Sequence, residues 1–254
     1  MMKLLMVIVL LCLGNVSQAV DYPAQPAAFS SVRPGPAIPA PWALNLLPNV
    51  DNATRFDLVS DENHVTVLRA VSVAAAATLA HKLHADASAN PWLSWRWKVS
   101  RMLDSANLEH QEGDDYAARI YVLFDYPVEK LSLADRVKIS LGQSLYGQEL
   151  PAAALCYVWD NHHPTGLDAW SAYSNRVRMI VVESGPQHAG HWRMEQRDVA
   201  ADFRAAFGEE APPIVGIALA ADTDNTGENV TAWFGDVGFL NAPPNNHVAH
   251  VAAR

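Results

Sequence analysis

The chain has 254 residues, half of them hydrophobic, with 27 acidic against 18 basic side chains and a formal charge of −9. Nucleic-acid binding rests on basic surface, so this balance argues against it, while it leaves neutral sugars open as partners. With two cysteines in all, Cys12 and Cys156, stability must come from a hydrophobic core rather than from a disulfide framework.

Residues 1–19 have the pattern of an export signal: Lys3, then an apolar stretch too short to span a bilayer comfortably, then Ser17-Gln18-Ala19. Leu11 stands before Cys12 where a lipoprotein signal needs a small residue, so cleavage is expected after Ala19. Loss of Lys3 takes the charge from −9 to −10 and leaves Cys156 as the single thiol. A periplasmic or secreted bacterial protein with no transmembrane segment after cleavage is the expectation. Residues 20–41 hold six of the sixteen prolines and form an expected linker or extended lead-in, since proline cannot donate to a hydrogen-bond ladder. The single domain is expected over residues 42–240 and a fraying tail over 241–254.

Within the domain, residues 54–59 and 65–70 are strand candidates, whereas 73–83, rich in alanine, suits helix or strand. Residues 93–99 alternate cleanly. Leu93, Trp95, Trp97 and Val99 share one face, and Ser94, Arg96 and Lys98 the other. Further strands are expected at 117–124, 154–159, 176–183, 214–221 and 231–239. One helix is marked, from Val199 to Phe207, with Asp198 as its cap and Gly208 as its stop. Many strands, few helices and no βαβ alternation predict an all-β fold, two antiparallel sheets packed as a jelly-roll or galactose-binding-like sandwich.

Polar groups cluster at strand ends, where such folds place ligands. Asp115 precedes the strand that carries Arg119 and Tyr121 on one face, a pair suited to gripping hydroxyls or a carboxylate; pairing of Arg119 with Asp114 or Asp115 is the structural alternative. Trp159, Asp160 and Asn161 combine an aromatic ring with hydrogen-bonding groups, a composition that suits a glycan. The adjacent His162 and His163, like His188 and His191, fit solvated loops better than a zinc site. Asp222, Asp224 and Asn225 lie in a turn that begins like a calcium loop, but Trp233 occupies the position where a bidentate glutamate belongs. A hydrogen-bonded turn without metal is therefore expected, with no cofactor; a calcium site of another type is the alternative. Cys156 lies in an apolar run with no cation beside it, as a buried inert thiol would.

Several of these segments together, Trp95-Arg96-Trp97, the run from Gly113 to Tyr121, Trp159-Asp160-Asn161, Arg176-Val177-Arg178, Arg197-Asp198-Val199, the turn at Asp222 and Gly235-Asp236-Val237, resemble the bacterial domain-of-unknown-function family 3047. That resemblance covers about residues 95–239 and implies an exported β-sandwich of unassigned activity; Arg178, within one of these segments, is a further candidate ligand-binding residue. The last forty residues of the domain also look like those of carbohydrate-binding sandwich modules. The leading expectation is a protein that binds a saccharide or another small polar, polyhydroxylated ligand without catalysis. The alternatives are a polysaccharide lyase or hydrolase in which Arg119 neutralises a carboxylate while Tyr121 or a histidine moves the proton, and an envelope assembly protein that docks a partner through its proline-rich arm.

Overall fold

The computed structural model describes residues 22–47, 50–136 and 152–243. The expected signal segment and almost all of the expected tail lie outside them. Five strands come first: β1 (Ala43–Leu46), β2 (Arg55–Ser60), β3 (Thr66–Val73), β4 (Ala77–Ala85) and β5 (Trp92–Val99). After a long loop come β6 (Tyr116–Phe124), β7 (Ala154–Asp160), β8 (Asp168–Ser171), β9 (Ser174–Ser184) and β10 (Arg193–Asp198). Helix α1 (Val199–Phe207) is followed by β11 (Ile214–Asp222), β12 (Asn229–Phe234) and β13 (Gly238–Leu240).

These strands form the expected two-sheet sandwich. A seven-stranded sheet runs β1-β4-β11-β6-β7-β9-β8, and a six-stranded one runs β10-β5-β12-β3-β2, with β13 following β12 along the same edge of β5. Neighbouring strands are antiparallel except β7 and β9, which run parallel because β8 turns back between them to pair with the outer edge of β9. The alternation of β5 sends Trp95 and Trp97 inward, where they meet Tyr157 at 5.4 Å and Trp159 at 5.8 Å from the other sheet. Together with Leu68, Leu79, Ile120, Leu219 and Phe234, all fully buried, they fill the space between the sheets. The alanine-rich segment 73–83 resolves into strand, split by a turn in which Ala74 has a φ of 43°. Tertiary burial decides here against the helix propensity of alanine.

Helix α1 has the predicted ends: Asp198 accepts the amide of Ala201 at 2.9 Å, and Gly208 closes it in the left-handed region at φ 74°. The expected strand over 231–239 is instead two strands, since Gly235 and Asp236 break the ladder between β12 and β13.

The proline-rich lead-in is packed rather than free. Phe29 is buried and stacks on Trp42 at 4.9 Å. Gln25 exchanges two hydrogen bonds with the backbone of Phe239, the amide of Ala27 donates to His81 Nε2, and Gly35 bridges to Leu58. The arm is thus tied down along both sheets, while much of its length stays exposed.

Candidate functional site

Three polar constellations stand out, and the first lies where β6 begins and β11 ends. Arg119 points to the outer side of the seven-stranded sheet, where Tyr116, Cys156, Val158, Met179 and Val181 form a second apolar layer roofed by Leu108. Burial pushes the Cys156 thiol up, so it is inert, as expected. Arg119 donates to Asp222 Oδ2, stands 3.6 Å from Asp114 and lies over the rings of Tyr116 and Tyr121 at 5.0 and 5.3 Å. Of the two sequence readings the structural one is nearer, although the main partner is Asp222 rather than Asp114 or Asp115. Asp115 instead accepts the amides of Asn225 at 3.3 Å and Thr226 at 2.6 Å, which holds the 222–228 turn against the start of β6. Asn225 reaches on to the carbonyl of Gln111 and to Tyr173 Oη.

Five of the expected site residues, Asp115, Arg119, Tyr121, Asp222 and Asp224, therefore converge, and Asn225 braces them. Burial raises the Asp222 carboxyl well above the usual carboxylate range, and its neighbours Asp115, Asp114 and Asp224 push the same way against Arg119. Burial opposes the charge on Arg119, but Asp222, Tyr121 and Asp114 more than offset it, so the guanidinium is held firmly protonated. Burial also drives the Tyr121 hydroxyl well up, so it stays protonated and does not ionise to act as a base. Arg119 is closed to solvent and Tyr121 keeps its proton, so neither is placed to serve as the lyase reading asks of them.

The second constellation follows β7. Trp159 lies on the inner face, 1% exposed, with its indole N–H donating to the carbonyl of Gly185, so it offers no ring surface to a sugar. Asp160 accepts the amides of His162 and His163 at 2.8 and 2.6 Å and lies 3.1 Å from His163 Nδ1, while Asn161 donates to the carbonyl of Ala106. One ligand atom each from Asp160, His162 and His163 lies within 4.8 Å of the others. The carboxylate already accepts three donors, however, and orders its own loop. Arg178 lies toward the opposite end of β9, paired with Asp168 at 2.8 Å and stacked on Trp170, and joins neither group.

The third constellation is on the outer face of the six-stranded sheet. Trp192 and Trp233, both partly exposed, flank the Lys98 ammonium at 5.1 and 5.0 Å, and the Arg96 guanidinium stacks on Trp192 at 4.3 Å. Each cation beside the rings has a carboxylate: Arg96 with Asp61 at 2.7 Å, Lys98 with Glu62 at 3.4 Å and Arg69 with Asp57 at 2.6 Å. Sequence reasoning placed Arg96 and Lys98 on this face but not the two rings. The alternation Val230, Ala232, Phe234 into the core dictates that Trp233 points outward, whereas Trp192 lies in a loop with no period to place it.

Near one edge of the same sheet, Glu195 on β10 accepts the indole N–H of Trp97 at 3.4 Å. Burial, aided by repulsion from Glu183, pushes its carboxyl up to about 7. Glu183 is held below the usual range despite burial, through the amide of Ser184, His188 and Arg193 at 2.7 Å.

None of the curated proteins compared with the chain matches it. Among solved structures, the chain is similar to the glycoside hydrolase domain of Endo-D from Streptococcus pneumoniae R6, at 10% identity and a TM-score of 0.37, over 80% of this chain and 22% of that one. It is also similar to the cellulose-induced protein Cip1, at 12% identity and a TM-score of 0.31, over 79% of this chain and 91% of that one. The chain thus spans about a fifth of the length of the first. Both likenesses are too slight to bear on activity. The model of the family described as a protein of unknown function, DUF3047, matches residues 40–238. It takes in β1 to β12 and all three constellations but almost none of the N-terminal arm, and the chain belongs to that family.

Proposed function

We propose that this protein binds a neutral saccharide on the outer face of its six-stranded sheet. The observation that carries the reading is the placement of Trp192 and Trp233 on either side of Lys98, with both rings partly exposed. An aromatic ring accepts the C–H face of a pyranose, and a hydroxyl needs a donor and an acceptor together. The ion pairs Arg96–Asp61, Lys98–Glu62 and Arg69–Asp57 supply both beside the rings, already held in place. Because these cations are neutralised, the face favours hydroxyls over an anionic ligand. This moves the expected saccharide site from the strand-end loops to a sheet face.

A glycan array followed by calorimetry on the protein tests the reading. Trp192→Ala and Trp233→Ala are each expected to weaken binding about tenfold or more, as loss of one aromatic contact worth on the order of 1.4 kcal/mol would. Absence of binding to any polysaccharide at millimolar concentration defeats the reading, as does affinity that survives both substitutions.

The Glu183/Glu195 pair favours a second reading, hydrolysis of a glycoside. One carboxyl that holds its proton into the neutral range, beside one that stays ionised, is the division such chemistry uses. Release of new reducing ends from a bound polysaccharide, lost in Glu195→Gln, is its test.

A further inference from the structure

Asp115, Asp222 and Asp224 each offer a carboxylate oxygen, and those three atoms lie within 4.8 Å of one another. Asp222 is 1% exposed; Arg119 takes its Oδ2, and its Oδ1 finds no hydrogen-bond partner among the described residues. A buried carboxylate oxygen without a donor is expensive, and native folds seldom leave one so. Arg119 is paired with Asp114 and Asp222, and Asp115 and Asp224 add two more carboxylates beside Asp222. The amides of Asn225 and Thr226 fix the Asp115 carboxylate while leaving lone pairs unused.

We propose that Asp115, Asp222 and Asp224 bind a calcium ion, with Asp222 Oδ1 as its most buried ligand. All three donors are hard oxygens, which excludes the thiolate- and imidazole-loving metals. Calcium accepts irregular sets of protein oxygens, whereas magnesium demands a near-ideal octahedron and keeps several of its waters, so a site built from three protein carboxylates suits calcium better. The ion would pin the 222–228 turn, which leads directly into β12, to the start of β6. This inference is independent of the saccharide reading, since no residue is shared.

The test uses the whole protein after chelator treatment. About 10 mM calcium, some tenfold above the weakest Kd expected for such sites, should raise the melting temperature, and magnesium should do so less. Asp224→Asn, which leaves the Arg119–Asp222 pair untouched, should weaken calcium binding at least tenfold by calorimetry. Terbium bound at the site should emit on excitation of Tyr116 and Tyr121, and calcium should displace it; this readout needs no variant. A protein whose melting, heat of titration and terbium emission are all indifferent to calcium overturns the proposal. So does a calcium response that persists undiminished in Asp224→Asn, which would place the ion elsewhere.

Discussion

Arg119 donates to Asp222 Oδ2 from the neighbouring strand, with the arginine 6% and the aspartate 1% exposed, so the pair is shut away from solvent. Such a pair owes little to its Coulomb attraction alone, because desolvation of both charges opposes it. What it does strongly is forbid the loss of one partner. Asp222→Leu or Arg119→Met, measured by urea unfolding in chelator, should each cost about 3–5 kcal/mol. The double variant should recover part of that loss, since it removes both members of the closest pair, although Asp114 then loses its guanidinium neighbour. Single variants that cost less than about 1 kcal/mol would mean that water reaches the pair.

The N-terminal arm gives the second prediction. Phe29→Ala removes a buried ring stacked on Trp42 and should lower stability by about 3 kcal/mol, toward the lower end for a core aromatic. An unchanged denaturation midpoint would show that the arm contributes nothing and could be a detachable lead-in after all.

What the sequence disclosed and what it hid follow from the range of the interactions. The alternation of Leu93, Trp95, Trp97 and Val99 specifies a half-buried strand by itself, and the Asp198 cap and Gly208 stop are local bonds within a few residues. The partner of Arg119 is 103 residues away, and no local pattern distinguishes Asp222 from Asp114 or Asp115 as its acceptor. β10 escaped notice because its pattern is inverted: Met194 is 64% exposed while Glu195 reaches inward to Trp97. Charges that point inward on an edge strand deter pairing with another chain, so that inversion has a purpose beyond this fold's core. Trp159 misled for the opposite reason, since it sits beside a polar loop yet belongs to the inward face of β7.

Glu195 yields a pH dependence. Its carboxyl rises from 4.5 in the unfolded chain to about 7 in the fold, chiefly through burial and then through repulsion by Glu183, with Trp97, Arg193 and Arg197 acting the other way. Below pH 4.5 both states hold the proton and nothing is lost. Between 4.5 and about 7 the unfolded chain gives up its proton first, so stability falls as pH rises through that window. At about 1.4 kcal/mol per unit the loss is at most on the order of 3 kcal/mol, and partial exposure of Glu195 reduces it. Glu195→Gln keeps an acceptor for the Trp97 indole and should melt higher than the wild type at about pH 8 but not at about pH 4. Equal melting temperatures at both would refute the assignment.

Gly235 tests the architecture of the aromatic face. A Cβ built at this position would lie 2.6 Å from both Cγ and Nε of Arg96, far inside contact distance, while the Gly235 amide donates to the Arg96 carbonyl at 2.9 Å. The backbone is anchored, so the arginine side chain must give way. Arg96 holds Asp61 at 2.7 Å and lies under the Trp192 ring at 4.3 Å, so its displacement should disturb both. Gly235→Ala should therefore cost about 1–3 kcal/mol of stability as an overpacked site. It should also weaken saccharide binding without touching either tryptophan. Arg96→Ala in the same background relieves the clash, and it should restore much of the stability while leaving the binding weak, because the ion pair and the stack are still missing. Restoration of both would show that Arg96 only fills space, and loss of stability with intact binding would separate the glycine from the aromatic face.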